Sequence, residues 1–71
     1  MKFTVGELAK LHGMSKQTLI YYDNIDLFKP NIVDENNGYR YYTSDQLEVF
    51  DSILILREIG IPIKEIKEFL V

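Results

Sequence analysis

The sequence contains no cysteine, only one histidine and no long hydrophobic run. Without cysteine there is no disulfide and no thiolate metal site in this segment, and a lone His12 cannot form a metal cluster. No apolar run approaches the roughly 20 residues of a membrane span, and the first residues lack a signal-peptide pattern. At 71 residues the chain is one domain at most, which we expect to be cytoplasmic, without membrane contact, metal or cofactor.

A surplus of basic residues is also missing, since the net charge is −3. This argues mildly against a nucleic-acid partner, because DNA and RNA prefer basic proteins. The charge is uneven, however: residues 1–40 hold five basic and five acidic side chains, and residues 41–71 hold three and six. Composition alone therefore leaves the partner open.

Catalytic machinery is not evident either. Asp23 and Asp26 suggest paired carboxylates, but no histidine, cysteine or third acid stands at a suitable spacing. We expect them to be helix-end and loop residues, and Lys29 to be solvated. The sequence therefore predicts a protein that is not an enzyme.

Two short helices open the chain. A threonine and a glutamate in capping-box spacing predict a helix over residues 5–12, which Gly13 ends. Ser15 is a good N-cap for a second helix over residues 16–24. Two short helices joined by so brief a turn, with glycine in it, indicate a helix-turn-helix.

A hairpin follows the second helix. Two β-prone runs flank the pair Asn37-Gly38, and this arrangement is a strong short-range hairpin signal. Its return strand carries alternating tyrosines, so we expect Tyr41 or Tyr42 to pack in the core, as we expect of Tyr22 in the second helix.

Two further helices complete the pattern. A second capping box, Thr43 and Gln46, predicts a helix over residues 44–59, which is apolar on most sides and ends at Gly60. Pro62 suits the first turn of a fourth helix. That helix runs to the end of the sequence without a stop signal, and we interpret it as a chain cut short or as a surface awaiting a partner.

The predicted fold is mostly α, a winged helix-turn-helix. In such a unit the second helix enters the DNA major groove with its N-terminal residues nearest the bases. Lys16 can bind phosphate or guanine, Gln17 can bind adenine, and Ile20 can touch only a thymine methyl. In the hairpin, Arg40 can reach phosphate or the minor groove, and Tyr39 or Tyr41 can donate its hydroxyl to phosphate.

The runs TVGELAKLHGMSKQTLIYYDNIDLFKP and NGYRYYTSDQLEVFDSILILREIGIPIKEI resemble the N-terminal DNA-binding domain of MerR-type bacterial transcription regulators, most closely the multidrug-responsive branch. The resemblance covers essentially residues 1–71. It divides them into a helix-turn-helix at about 4–24, a wing at about 31–42 and a helix pair at about 43–71.

The resemblance implies sequence-specific binding to double-stranded promoter DNA by a dimer, which helps RNA polymerase indirectly by distorting the DNA. It also implies a long dimerisation helix and an effector domain, both absent from this chain, so we expect the chain by itself to be monomeric. By position, the implied DNA contacts are Lys16, Gln17, Tyr21, Tyr39, Arg40 and Arg57. One departure is Ile20, which stands where the family usually has arginine.

Two other functions stay open at this stage. One is an excisionase-like architectural DNA-binding factor that uses the same winged fold. The other is a small protein–protein interaction module, which the net charge and the apolar face of the fourth helix favour. For single residues, Lys16 can instead be a solvated lysine, and Arg57 can pair with Asp51 or Glu58.

Overall fold

The computed structural model describes residues 1–70, which form four helices and three strands. The fold is mostly helical and confirms the predicted winged helix-turn-helix. No helix in this part of the chain is both long and apolar enough to cross a membrane. The elements are β1 (Lys2–Thr4), α1 (Val5–Leu11), α2 (Lys16–Asn24), β2 (Ile32–Val33), β3 (Arg40–Thr43), α3 (Gln46–Glu58) and α4 (Ile63–Leu70).

The first capping box and the first helix stop are both confirmed. The Glu7 backbone N–H donates to Thr4 Oγ1 at 3.1 Å, and the Thr4 N–H donates to Glu7 Oε1 at 2.9 Å. At the other end Gly13 has a φ of +64°, and the Met14 N–H donates to the Ala9 carbonyl at 3.0 Å. This left-handed turn satisfies the last carbonyls of α1 and turns the chain at once into α2.

Helix α2 is the helix that we expect to enter the DNA major groove, and we call it the recognition helix. It ends in the same kind of turn as α1, but without a glycine. Asp26 takes the left-handed position with a φ of +61°, and the Leu27 N–H donates to the Tyr22 carbonyl at 2.9 Å. Aspartate tolerates this conformation better than most residues but at some cost. At the start of α2, Ser15 is the N-cap, as predicted, but its hydroxyl bonds to Thr18 Oγ1 and not to the backbone.

The wing is part of a three-stranded antiparallel sheet with the order β1-β3-β2. Strand β1 is an element that the sequence did not predict, because three residues are too few to show an alternating pattern. Its pairing with β3 makes β3 the central strand. Tyr42 is therefore fully buried, whereas Tyr41 is half-buried with Lys2 Nζ 4.3 Å from its ring centroid, so one of the two tyrosines lies in the core as predicted.

The hairpin turn is longer than the Asn-Gly signal suggests. The Asp34 N–H donates to the Tyr39 carbonyl at 2.8 Å, and the intervening loop includes Asn37-Gly38 near its end. A two-residue type I′ turn needs positive φ at both central residues, but only Gly38 of the pair has it, at +74°. The Asp34 and Asn37 side chains instead accept backbone N–H groups of Asn36 and Tyr39.

Helix α3 begins at Gln46, two residues later than predicted, and the second capping box is only half formed. Gln46 Oε1 accepts the Thr43 N–H at 3.0 Å, as expected, but also the Asn31 N–H at 3.2 Å. Its Nε2 donates to the Lys29 carbonyl at 2.6 Å. Thr43 Oγ1 accepts from Asn31 Nδ2 and therefore does not cap α3. Through its bonds to Asn31 and Lys29, the buried Gln46 connects the loop before β2 to α3. These partners are distant in sequence, so local sequence cannot reveal them.

The core lies where α1, α2, α3, α4 and β3 meet. The Phe28 ring stacks between Tyr42, at a centroid distance of 5.2 Å, and Phe50, at 4.8 Å. Stacked aromatic pairs at such distances add stability beyond their buried area. This stack joins the segment after α2 to the wing and to α3. The fully buried large side chains are Leu8, Leu19, Tyr42, Phe50, Ile53 and Ile66.

Gly60, with a φ of +92°, ends α3 as predicted. The fourth helix, α4, begins at Ile63, so Pro62 directly precedes it and does not lie in its first turn. Ile66 of α4 is fully buried, whereas Phe69 is 74% exposed. The predicted absence of a stop at Val71 lies outside the described residues.

Candidate nucleic-acid interface

The recognition helix α2 separates its side chains into an inner and an outer set. Leu19 and Tyr22, three residues apart, face the core. Lys16, Gln17 and Tyr21 are exposed, and none of the three side chains makes a hydrogen bond or an ion pair with the part of the chain that the structure describes. A helix of 3.6 residues per turn produces this division, and it leaves the outer side chains available to a ligand.

The wing and the recognition helix share one cleft of about 360 Å³. It brings together three of the predicted DNA contacts from two elements, Lys16 from α2 and Tyr39 and Arg40 from the wing. Ile20, an aliphatic residue, lies in the same cleft among the cationic and aromatic candidates. The full lining is Thr4, Val5, Gly6, Lys16, Ile20, Tyr39 and Arg40.

Arg40 does not stand free at the hairpin tip. It is the first residue of β3, and its Nη2 lies 2.9 Å from Oδ1 and 2.8 Å from Oδ2 of Asp23 in the recognition helix. Its Nε is buried without a hydrogen-bond partner, while 39% of the side chain remains exposed. Arg40 therefore has a partner inside the domain, and the exposed part of its side chain lines the cleft.

Asp23 is the centre of an ion-pair network. Its carboxylate is 16% exposed and also accepts from Lys29 Nζ at 2.7 Å, and the same ammonium lies 3.1 Å from Asp26. The hydrogen bond to Asp23, with a smaller one to Asp26, raises the pKa of Lys29. Lys29 is thus paired and not merely solvated, which corrects the prediction. Asp23 lies in the last turn of α2 and Asp26 in the loop that follows, as predicted.

Tyr42 adds a second orphan polar atom near this network. Its hydroxyl is buried and has no hydrogen-bond partner within residues 1–70. Burial, with the negative charge of Asp23 as a smaller contribution, raises the pKa of Tyr42 to about 12. A buried hydroxyl without a partner costs stability, so the Tyr42 hydroxyl offsets part of the stability that its buried ring contributes.

Arg57 and Tyr39 are the remaining predicted contacts, and both are exposed. Tyr39 is 62% exposed. Arg57 Nη1 donates to the Ile61 carbonyl at 3.4 Å beyond the end of α3. Among the described residues it has no ion pair with Asp51 or Glu58, so that alternative is wrong.

Asp51 pairs instead with His12, at a distance of 3.0 Å to Nε2. The His12 Nδ1 also lies 3.1 Å from the Leu8 carbonyl, so the histidine joins α1 to α3. Within residues 1–70 no group of three or more histidine, aspartate or glutamate side chains is arranged to hold a metal ion.

Sequence reasoning missed one contact of the recognition helix. Lys67 of α4 donates from Nζ to the carbonyl of Ile25, the C-cap of α2, at 2.9 Å. A cation at the C-terminal end of a helix complements its dipole. The two residues lie 42 positions apart, so no local pattern indicates the contact.

Comparison with known proteins places the chain in a family. The family model of MerR helix-turn-helix regulatory proteins matches residues 3–71. The multidrug-efflux transporter 2 regulator of Bacillus subtilis is 54% identical over 65 residues, which are 92% of this chain and 23% of that protein. The chain therefore spans about a quarter of the length of the curated relatives it matches.

Solved structures agree with this placement. The N-terminal part of MtaN, the multidrug transporter activator of Bacillus subtilis, matches with a TM-score of 0.86 and 41% identity over 96% of this chain and 63% of that chain. HiNmlR, a MerR-family regulator that lacks the sensor domain and was solved bound to promoter DNA, matches with a TM-score of 0.83 and 32% identity over 97% of this chain and 54% of that chain. The chain belongs to the MerR family of helix-turn-helix regulatory proteins and carries the winged helix-turn-helix DNA-binding domain of that family.

Proposed function

We propose that this domain directs a bacterial transcription regulator to double-stranded promoter DNA in the cytoplasm. In the longer protein it acts as a homodimer, and it influences RNA polymerase indirectly by distorting the promoter. The observation that carries the proposal is the shared cleft, which is lined by the unpaired Lys16 of the recognition helix and by the partly exposed Arg40 of the wing.

Each predicted contact takes a role that follows from its chemistry. Lys16 binds phosphate or guanine, and Gln17 reads adenine in the major groove. Tyr39, which lines the cleft, and Tyr21, which lies outside it beside α4, donate their hydroxyl groups to phosphates. These four side chains are exposed and need no rearrangement of the core to bind.

The two arginines complete the proposed interface by binding phosphates. Arg40 contributes the exposed part of its guanidinium, and Arg57 binds from the end of α3. The net charge of −3 does not oppose this arrangement, because the acidic surplus lies in residues 41–71 and the cleft is lined by Lys16 and Arg40.

The test is an NMR amide titration of the chain with a short duplex at low salt, repeated at higher salt. We expect amides in α2 from Lys16 to Tyr21 and in the wing from Gly38 to Tyr42 to shift together. The shifts should fade with salt, because each neutralised phosphate releases a counterion.

A matched pair of variants makes the test specific. Lys16→Gln and Lys10→Gln remove the same charge from exposed positions, but only Lys16 lines the cleft. Lys16→Gln should weaken the shifts strongly and Lys10→Gln weakly. Equal effects of the two variants, or shifts confined to α4, would contradict the proposed interface and favour a protein-interaction module.

A further inference from the structure

One carboxylate lies close to the proposed DNA-binding cleft, where negative charge is unfavourable. Asp23 belongs to the recognition helix, and it contacts the arginine that lines the cleft. A carboxylate within a Debye length of a phosphate, about 8–10 Å at physiological salt, repels it. Unless this aspartate contributes in another way, it weakens DNA binding.

The geometry of the pair indicates what that contribution is. Both carboxylate oxygens of Asp23 hold a single nitrogen of Arg40, Nη2, at 2.9 and 2.8 Å. Nη1 makes no hydrogen bond to the described residues, and 39% of the side chain is exposed. The aspartate therefore holds the guanidinium through one nitrogen, Nη2, and leaves Nη1 for a ligand.

Fixing an arginine before it binds has a clear advantage. A free arginine side chain loses rotamer entropy when it is immobilised, and side-chain ordering is one of the main costs of association. The pair also joins the last turn of α2 to the first residue of β3. A single contact thus sets the direction of the guanidinium and the position of the wing against the recognition helix.

We propose that Asp23 is a positioning residue for DNA binding, which acts by holding Arg40 in its binding orientation and the wing against the recognition helix. This inference rests on the proposed function, since it assumes that the cleft binds DNA. Asp23 itself touches no phosphate.

The direction in which one substitution changes DNA affinity shows whether Asp23 positions Arg40 or only adds negative charge near the cleft. Asp23→Asn removes a negative charge near the cleft and releases Lys29, so simple electrostatics predicts tighter DNA binding. If Asp23 positions Arg40, the same substitution weakens binding although it makes the domain more basic. We expect roughly fivefold weaker binding, the size of a charge-assisted hydrogen bond in a partly exposed site.

The matched control is Asp26→Asn. Asp26 lies three residues further along, also pairs with Lys29, and makes no contact with Arg40. Asparagine tolerates the left-handed backbone of this position. Asp26→Asn should therefore leave DNA affinity unchanged or raise it by no more than about twofold, the range of an exposed charge.

The experiment measures the affinity of the whole chain for a fluorescent duplex at one low salt concentration, in the wild-type and Arg40→Ala backgrounds. Asp23→Asn should weaken binding in the wild-type background and tighten it when Arg40 is absent. Tighter binding in both backgrounds would overturn the proposal, as would the same weakening in both, which would indicate damage to the fold. If the wild-type chain itself does not bind, the proposed function fails, and this inference fails with it.

Arg40→Lys gives a second route if Asp23→Asn unfolds the domain. Lysine keeps the charge but cannot be held at one nitrogen while it presents another, because its ammonium has a single nitrogen. The proposal predicts that Arg40→Lys binds nearly as weakly as Arg40→Ala. Wild-type affinity in Arg40→Lys would overturn it, because charge alone would then suffice.

Discussion

The recognition helix and the wing present their candidate DNA contacts in different ways. Lys16 and Gln17 of α2 extend from the surface without internal partners, so the fold does not depend on them. Arg40 of the wing is bound to Asp23 and has a buried Nε, so it belongs partly to the interior. In the helix, the 3.6-residue periodicity assigns some residues to the core and others to binding. In the wing, the single side chain of Arg40 takes part in both.

The strongest test of this separation uses two neighbouring residues of α2. Leu19 is fully buried and Ile20 is 40% exposed. Leu19→Ala should lower the free energy of unfolding by about 2–5 kcal/mol because it opens a cavity. Ile20→Ala should change it by less than about 0.5 kcal/mol, as surface substitutions do. Urea unfolding followed by circular dichroism measures both, and similar losses would show that α2 has no separate outer face.

The comparison between helix and wing is tested next by Arg40→Ala and Lys16→Ala. Each should lower the slope of log affinity against log salt by about 0.9, the value for one phosphate contact. Only Arg40→Ala should also destabilise the fold, by about 1 kcal/mol once the exposure of the pair is taken into account, since it leaves Asp23 without its partner in the wing. Salt-dependent affinity and thermal unfolding of the same two variants provide the data. An unchanged salt slope would remove Arg40 from the interface, and unchanged stability would remove it from the interior.

A substitution of Tyr42 tests the buried part of the wing without changing a candidate DNA contact. Tyr42→Phe removes a buried hydroxyl that has no partner, so it should stabilise the domain by about 1 kcal/mol at neutral pH. The pKa of Tyr42 is raised to about 12 by burial, so the folded state holds this proton more tightly than the unfolded state.

The pH dependence of stability follows from that sign. The contribution of the neutral tyrosine is complete below a pH of about 10, the ordinary tyrosine pKa, and is lost as the pH rises towards 12. The difference in stability between wild type and Tyr42→Phe should therefore widen with alkaline pH in urea-unfolding curves. A constant difference would show that the hydroxyl ionises as freely in the folded state as in the unfolded one.

The smallest effect is expected at the end of the recognition helix. Asp26 has a φ of +61°, a conformation that glycine adopts without strain. Asp26→Gly should raise the free energy of unfolding by about 0.5 kcal/mol, because relief of strain exceeds the greater freedom of glycine in the unfolded chain. Asp26→Ala removes the same carboxylate but keeps the Cβ, so it should not stabilise. Equal changes in the two variants would show that the charge and not the backbone is responsible.

Local signals in the sequence predicted the helices well. Thr4 with Glu7 begins α1, and Gly13 and Gly60 end α1 and α3, because caps and left-handed stops act through bonds between residues close in sequence. The inward positions of Leu19 and Tyr22 follow from spacing alone. These elements can be predicted without knowledge of the rest of the molecule, and so can the exposed positions of the site residues on α2.

Local sequence signals predicted the structure incorrectly where the conformation depends on other bonding partners. The Thr43 capping box is incomplete because Gln46 also serves Asn31 and Lys29. Strand β1 exists because β3 offers it an edge. The Asn-Gly pair does not form a two-residue turn, since the side chains of the loop bond to its own backbone.

The sequence by itself determined the helix-turn-helix, the presence of a wing and the outer face of the recognition helix, because periodicity, caps and turn signals are local properties. Its motifs also carried the resemblance to the MerR family, which the comparisons then confirmed. Only the tertiary structure decided that Asp23 in α2 holds Arg40 in β3, 17 positions away, and that Lys67 reaches the end of the recognition helix. Charge pairs between distant elements depend on where the packed core places their backbones, and no local pattern records that placement.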